Sequence, residues 1–157
     1  MAASDPLRIV VDDLTGAATV ALVQQHLTGM HEQTPAESVH ALDLSALRDP
    51  RVTVWSAWRG VELAGIGALS HWTPADGELK SMRVAEHHLG TGVGRALLRH
   101  IMARAAGRGI ERLWLETGSD AGFAAARGLY ASEGFVECEP FADYRPDPLS
   151  TFMTRSL

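Results

Sequence analysis

The sequence predicts an α+β domain, and three features indicate this fold class. β-Branched and aromatic runs separated by turn residues follow one another from residue 52 to residue 84, which favours antiparallel strands. Segments on both sides of this region repeat apolar residues at the spacing of an amphipathic helix. No internal repeat or low-complexity linker interrupts the 157 residues, so we expect a single domain over residues 1–157.

The first third of the chain is predicted to form one strand and two helices. Arg8 to Asp12 is rich in β-branched residues and reads as a short strand. Thr15 to about Met30 has apolar residues at helical spacing, and Gly29 followed by Pro35 is expected to end this helix. A second short helix is expected from Ala36 to Leu47.

The middle of the chain is predicted to form a meander of three strands. Val52–Trp58 and Val61–Leu69 flank a turn at Arg59–Gly60, which is typical of a hairpin. After a second turn at Pro74–Gly77, a third strand is expected from Glu78 to Val84.

The third strand has an irregular apolar pattern. Its large apolar residues Leu79, Met82 and Val84 are spaced by three and then by two, whereas strict alternation keeps a spacing of two. One extra residue indicates a β-bulge near Ser81–Met82, and bulges are frequent beside active sites. A central strand covered on both faces would explain the spacing equally well.

The last part of the chain is predicted to contain two helices and three strands. The first helix starts at Val93 and is closed by Gly107 and Gly109, and Asp120 and Gly134 are expected to cap the second. The expected segments are a strand Ile110–Thr117, a helix Ala121–Glu133, and strands Phe135–Cys138 and Thr151–Arg155 around a proline-rich loop.

Composition and charge exclude several classes of protein. A net charge of −5 argues against broad nucleic-acid binding, which uses a basic face. Cys138 is the one cysteine and has no internal disulfide partner. Met1–Arg8 lacks the apolar core of a signal peptide, and no apolar run approaches the roughly 18 residues of a membrane span. We therefore expect a cytoplasmic protein with no membrane partner.

The segment with the most chemical content is Leu89–Gly94, Leu-Gly-Thr-Gly-Val-Gly, between a predicted strand and a predicted helix. Its glycines permit positive φ angles and leave space for a ligand. The first turn of the following helix has unpaired N–H groups and a partial positive charge. Together these features predict a site for phosphate or pyrophosphate, although a purely structural turn stays open at this point.

Two well-known phosphate-binding motifs do not match this segment. A P-loop requires Gly-Lys-Ser/Thr, whereas Gly94 is followed by Arg95–Ala96. The dinucleotide fingerprint requires G-x-G-x-x-G, whereas the glycines here read G-x-G-x-G. Glu116 stands where the ribose-binding acid of that fold would lie, but too little sequence follows to build a doubly wound sheet.

The chain resembles the GNAT superfamily of acyl-CoA-dependent N-acetyltransferases over essentially its full length. Leu89–Gly94 is similar to that family's R/Q-x-x-G-x-G/A loop except at Leu89, and Ala126–Phe135 is similar to its A-x-x-L-Y-x-x-x-G-F segment. Three further stretches resemble a bacterial branch that includes indole-acetate (IAA) acetyltransferases: Glu37–Asp43, Leu115–Ser119 and Phe141–Pro148.

The resemblance implies a mixed, mostly antiparallel sheet, flanked by helices and splayed between its fourth and fifth strands. It also implies acetyl-CoA as co-substrate, with backbone N–H groups near the bulge polarising the thioester carbonyl. No metal is expected, because the sequence has no HExxH motif. The residues implied in coenzyme binding are Met82, Arg83, Val84, Leu89, Gly90, Thr91, Gly92, Val93, Gly94, Arg95, Phe123 and Tyr130.

Three residues are candidates for proton transfer, two as the base and one as the acid. An alkyl amine with a pKa near 10 is neutral in only about one molecule in a thousand at pH 7, so acetyl transfer needs a base. Glu116, at the end of a central strand, is the first candidate and Glu78 the second; each could instead be a solvated strand-end acid. The resemblance implies that Tyr130 protonates the departing thiolate, against the alternative of a core aromatic residue.

The candidate substrate-binding residues lie in segments that, by resemblance, wall the acceptor pocket: His31, His40, His71, Trp72 and Glu78. The seven histidines include no HExxH zinc motif. The predicted partner is a small-molecule amine, with a homodimer left open and no nucleic acid expected. A non-catalytic acyl-CoA-binding module and a protein N-acetyltransferase remain alternatives.

Overall fold

The computed structural model describes residues 5–157, and its elements follow the predicted order. Part of Met1–Arg8, on which the signal-peptide prediction rests, lies outside this range. The strands are β1 Leu7–Val11, β2 Val52–Arg59, β3 Glu62–His71, β4 Asp76–Val84, β5 Arg112–Gly118, β6 Val136–Glu137 and β7 Ser150–Ser156. The α-helices are α1 Ala17–Gln33, α2 Leu44–Leu47, α3 Val93–Gly107 and α4 Ala124–Ser132.

The seven strands form one mixed sheet in the order β1-β2-β3-β4-β5-β7-β6. Every neighbouring pair is antiparallel except β4 and β5, which run parallel. These two strands pair only where Asp76–Glu78 lies beside Arg112–Trp114. Beyond that point they separate, so the predicted splay between the fourth and fifth strands is confirmed.

Helices cover both faces of the sheet, with a separate apolar cluster on each. On one face α1 and α2 pack against β2 and β3 through Leu22, Val23, Leu47, Val54 and Ile66. On the other, α3 and α4 pack against the centre of the sheet through residues that include Leu97, Ile101, Leu113, Leu115 and Tyr130. The split between β4 and β5 therefore lies between two helical layers.

Two predictions for the first helical region are wrong. Helix α1 does not end near Gly29 but continues to Gln33, and the Arg83 guanidinium packs on Gly29. The predicted helix Ala36–Leu47 is instead a 3-10 turn and the short helix α2, joined by an extended segment. The Asp43 carboxylate caps α2 by accepting from the Ala46 N–H at 2.8 Å, which fixes the start of the helix there.

The predicted bulge in β4 is confirmed. Ile66 lies opposite Arg83 and Ala68 opposite Lys80, so Gly67 alone faces two residues of β4. Ser81, one of those two, has a φ of 56°, in the left-handed region that residues with a side chain seldom adopt. The bulge restores Met82 and Val84 to the side that carries Leu79, which explains the spacing of three and then two.

The backbone at Gly67 is closely covered. A Cβ atom there would lie 2.7 Å from the Met82 sulfur and 2.8 Å from the Ile101 Cδ1 atom. Both atoms are the ends of side chains packed between β4 and α3, so an added Cβ atom would force these side chains to shift.

We expect Gly67→Ala to lower the free energy of unfolding by about 1–3 kcal/mol, because overpacking forces neighbouring side chains to shift. Gly107→Ala is the matched control: a Cβ atom at that helical position meets nothing within 4 Å, and alanine favours a helix by up to about 1 kcal/mol. Urea denaturation of both variants measures the difference. Equal stabilities would contradict the close packing at the bulge.

Candidate functional site

A cleft opens where β4 and β5 separate. It encloses a cavity of about 100 Å³, called here the inner cavity, between the bulge, the end of β5, helix α1 and helix α4. Its lining includes His26, Met30, His40, Glu78, Lys80, Ser81, Met82, Glu116, Phe123 and Tyr130. The structure thus brings all three candidate proton-transfer residues, Glu78, Glu116 and Tyr130, and part of the predicted coenzyme set to one place.

The glycine turn, residues 89–94, leads directly into α3. Gly90 and Gly92 have φ angles of 73° and 87°, and no atom lies within 4 Å of the position that a Cβ atom would take at either. Within residues 5–157, no backbone hydrogen bond occupies the N–H groups of residues 90–94. These free donors, with open space beside them, fit a diphosphate group.

The other predicted coenzyme residues divide between the bulge, the turn and α4. Val84 lies against Gly94, so the bulged strand contacts the start of α3. Arg83 points to the opposite face, towards Gly29. Phe123 lines the inner cavity and packs on Gly118 at the end of β5. Arg95 is bound to the Ser132 hydroxyl at 3.0 Å and pairs with Glu133.

Tyr130 projects from α4 into the inner cavity and is 7% exposed. Its ring packs edge-on against Phe135 with centroids 5.8 Å apart, so it is also part of the core. Burial raises the pKa of the Tyr130 phenol well above its usual value, and the negative charge of Glu116 raises it further. The phenol is therefore protonated throughout the physiological range.

The two glutamates of the cleft have different surroundings. The Glu78 carboxylate accepts from Lys80 Nζ at 3.2 Å and from the Tyr144 hydroxyl at 2.6 Å. Glu116 has no salt-bridge partner within residues 5–157. Burial raises the pKa of the Glu116 carboxyl above its usual range. Ser150, His40 and Lys80 oppose this rise, and the charge of Glu78 adds to it.

Lys80 and Tyr144 are site residues that sequence reasoning missed. Lys80 Nζ donates to the Tyr144 hydroxyl at 2.9 Å, which completes a triangle with Glu78. The lysine and glutamate side chains are only 11% and 6% exposed, so this is a buried ion pair. Tyr144 is 66 residues from Glu78 in sequence, and no local pattern signals such a contact.

His26 on α1 is a third residue that the sequence did not reveal. It lines the inner cavity, and its Nδ1 atom is buried with no hydrogen-bond partner in the described chain. Burial lowers the pKa of the imidazole to about 4, and the nearby Arg83 charge contributes. His26 is accordingly a neutral group at pH 7. In the sequence, His26 is one of several polar residues in a predicted helix, and nothing in the local pattern distinguishes it from the others.

The predicted acceptor-side residues are brought together only in part. His40, Trp72 and Glu78 line an outer pocket of about 500 Å³ that shares His40 and Glu78 with the inner cavity. His31 is exposed near the end of α1 and does not line either cavity. His71 is also outside both, since its Nε2 atom lies 3.1 Å from the Arg108 guanidinium near α3.

The loop from Phe141 to Pro148 covers the side of the cleft at which the acceptor is predicted to bind. Phe141 packs on Trp72 and Trp114 at centroid distances of 5.1 and 5.3 Å, and Tyr144 packs edge-on against His40 at 4.9 Å. A 2.5 Å hydrogen bond from the Ser38 hydroxyl to Asp147 ties the loop to the segment before α2.

Residues 5–157 contain neither a metal-binding cluster nor a helix that could span a membrane. No group of three or more His, Cys, Asp or Glu side chains is arranged to hold a metal ion there. None of the described helices combines the length and the hydropathy needed to span a bilayer.

Comparison with known proteins identifies similar sequences. The model of the acetyltransferase (GNAT) family matches residues 19–135. The uncharacterized N-acetyltransferase YsnE of Bacillus subtilis is 54% identical over 151 residues, which cover 96% of this chain and all of that protein. An IAA acetyltransferase of Azospirillum brasilense is 38% identical, over 89% of this chain and 91% of that protein.

Solved structures share the fold. An acyl-CoA N-acyltransferase from Klebsiella pneumoniae superposes with a TM-score of 0.81 at 32% identity, over 96% of this chain and 97% of that one. A GNAT family acetyltransferase from Elizabethkingia anophelis with acetyl-CoA bound superposes with a TM-score of 0.65. It is 18% identical, and the match covers 98% of this chain and all of that one.

The low pKa of His26 predicts how stability depends on pH. An unfolded histidine binds a proton near pH 6.5, whereas folded His26 does so only near pH 4, so the unfolded state gains protons first as the pH falls. We therefore expect the free energy of unfolding to fall by about 2 kcal/mol from pH 7 to pH 5 because of His26. His26→Gln removes this loss.

Urea denaturation at pH 7 and pH 5 tests this expectation, with His87→Gln, a substitution of an exposed histidine, as the control. The pH dependence of wild type and of the control should match. A His26→Gln variant with the same pH dependence as wild type would show that His26 is readily protonated in the folded protein.

Proposed function

The chain belongs to the acetyltransferase (GNAT) family, and from that premise we propose that it transfers the acetyl group of acetyl-CoA to the primary amine of a small acceptor. The observation that carries the proposal is the inner cavity, where a buried tyrosine and a carboxylate free of ion pairs lie beside a break in the sheet. The glycine turn with its unoccupied N–H groups leads into the next helix.

Acetyl-CoA as the acetyl donor has two supports. The turn at residues 89–94 has the free N–H donors and the open space that a diphosphate requires. A structural neighbour of the same fold was solved with acetyl-CoA bound. When bound, the coenzyme supplies a thioester whose carbonyl carbon is attacked by the acceptor nitrogen, with formation of a C–N bond and release of the C–S bond.

The bulge in β4 supports a role in polarising the carbonyl. Strand β4 pairs with β5 only as far as Glu78, so the backbone groups of residues 81–84 face the cleft without a partner strand on that side. Donors fixed in a partly buried site stabilise developing negative charge more than water does. Met82 and Val84 are the residues whose N–H groups we assign to this function, with Arg83 between them.

Glu116 is the better of the two candidate bases. Glu78 already accepts hydrogen bonds from a lysine and a tyrosine, so its charge is compensated. Glu116 has a raised pKa and no ion pair, and both properties bring its proton affinity closer to that needed near neutral pH. In the proposed reaction Glu116 receives the proton that the amine loses, directly or through a water molecule.

Tyr130 is assigned as the acid that protonates the leaving thiolate. Part of the rise in its pKa comes from the charge of Glu116. When Glu116 takes up the proton from nitrogen, that charge is neutralised and the Tyr130 pKa falls. Proton removal from the amine thereby makes proton delivery to the sulfur easier, and the two transfers are coupled through space.

The size of the cavities supports a small acceptor. The inner cavity, at about 100 Å³, admits only the reacting end of a molecule, and the outer pocket of about 500 Å³ would hold the remainder. The loop at residues 141–148 and the segment before α2 close the outer pocket on one side. His40 and Trp72 are the proposed contacts in that pocket.

Tyr130→Phe is expected to leave the fold and CoA binding intact and to lower kcat by about 10²–10⁴-fold, because a positioned acid contributes that much. Thiol release from acetyl-CoA with a panel of small amines measures kcat, and calorimetry measures CoA binding. An unchanged kcat would remove Tyr130 from the mechanism. A wild-type protein that binds CoA but releases no thiol with any amine or peptide would favour the non-catalytic module.

Glu116→Gln is expected to lower kcat/KM by at least tenfold, since the amide cannot take up a proton, while thermal stability changes little. Glu78→Gln should instead mainly destabilise the protein, because it leaves the buried Lys80 charge without its partner. Thermal unfolding and thiol release on both variants separate the two effects. The reverse pattern would assign the base to Glu78.

A further inference from the structure

A buried arginine lies beneath the glycine turn. Arg59, the last residue of β2, is 8% exposed. Its two terminal nitrogens donate to one residue of the turn: Nη1 to the Thr91 hydroxyl at 2.9 Å and Nη2 to the Thr91 carbonyl oxygen at 3.1 Å. No other charged side chain within residues 5–157 hydrogen-bonds the turn in this way.

These bonds determine which way the turn's peptide groups point. In a trans peptide the C=O and N–H groups point in opposite directions. Because Arg59 holds the Thr91 carbonyl inward, the Gly92 N–H of the same peptide unit points away from Arg59 and towards the open side of the turn. The Thr91 hydroxyl also donates to the His88 carbonyl at 2.6 Å, which fixes the residue at its other end.

The charge of Arg59 is not compensated by an acid. No salt bridge within the described chain includes it, and its Nε atom is buried without a hydrogen-bond partner. The carboxylate that follows soonest in sequence, Glu62, is bound to His88 instead, at 3.0 Å. Burying an unpaired charge is costly, so its retention here calls for a compensating anion.

Leu89 leaves the turn without a positively charged or polar side chain at its first position. Leu89 stands where the family pattern has Arg or Gln, and its apolar side chain is 63% exposed. The net charge of the chain is −5, which disfavours an anionic ligand at long range. A positive charge beneath the turn offsets both disadvantages.

We propose that Arg59 is a positioning residue for the diphosphate of acetyl-CoA, which orients the Gly92 N–H towards the phosphates and supplies the fixed positive charge that Leu89 does not. This inference rests on the proposed function. It concerns only the diphosphate, so the chemistry at the thioester is independent of Arg59.

The test compares two acetyl donors in wild type and Arg59→Met. Acetyl-CoA carries the diphosphate and S-acetylpantetheine lacks it, but both present the same thioester. We expect the KM for acetyl-CoA to rise at least tenfold in Arg59→Met with little change in kcat, while kcat/KM for S-acetylpantetheine stays within twofold of wild type. Arg59→Lys keeps the charge but not the paired donors, so its KM for acetyl-CoA should lie between those of wild type and Arg59→Met.

Two further variants complete the design. Arg104→Met removes an exposed arginine of α3 and the same unit of charge, and should leave the KM for acetyl-CoA unchanged. Leu89→Arg in the Arg59→Met background should recover part of the lost affinity. If Arg59→Met does not fold, the ratio of the two donors in Arg59→Lys decides the question.

Three results would overturn the inference: an unchanged KM for acetyl-CoA in folded Arg59 variants, an equal loss with both donors, or an equal loss in Arg104→Met. The first would show that the turn binds without Arg59, the second that Arg59 only maintains the fold, and the third that net charge alone is responsible. Wild-type activity with S-acetylpantetheine but none with acetyl-CoA would instead reject the donor assigned under the proposed function.

Discussion

The short pairing between β4 and β5 is the constraint on which the rest of the site depends. Two parallel strands at the centre of a sheet would normally continue side by side, but here they share only the registers from Asp76 to Glu78. The bulge at Ser81 turns β4 away from β5 immediately afterwards. The resulting gap lies between two helical layers, so it forms a sheltered cleft rather than a surface groove, and backbone donors that a neighbouring strand would occupy are left available.

Within that cleft, the surroundings of each acid determine what it can do. Glu78 and Glu116 lie in the same small cavity, yet one is neutralised by Lys80 and Tyr144 and the other is not. Compensation makes Glu78 a structural anion that holds the 141–148 loop in place. Burial raises the pKa of the Glu116 carboxyl, which has no ion-pair partner in the described chain and whose charge in turn raises the pKa of Tyr130. Two identical side chains thus acquire different electrostatic properties from their neighbours, which is why we propose Glu116 rather than Glu78 as the base.

The sequence predicts those parts of the molecule that depend on local patterns. The bulge changes the spacing of Leu79, Met82 and Val84, and the glycine turn has its own composition, so both are visible without a structure. The roles of Tyr144, His26 and Arg59 depend on residues that are distant in sequence. Their partners are Glu78, Arg83 and Thr91, which are 66, 57 and 32 positions away respectively, and no local pattern signals these interactions. The error at residues 36–47 has a related cause, since Asp147, far along the chain, binds Ser38 in a 3-10 turn that does not continue as an α-helix.

The burial of Lys80 bears on whether this protein could be acetylated by another copy of itself. Lys80 is the single lysine of the chain, and its ammonium group is held between a carboxylate and a phenol at 11% exposure. All other basic side chains on the surface are arginine or histidine, neither of which forms a stable N-acetyl product. Under the proposed activity, copies of this protein therefore offer one another no exposed lysine amine to acetylate.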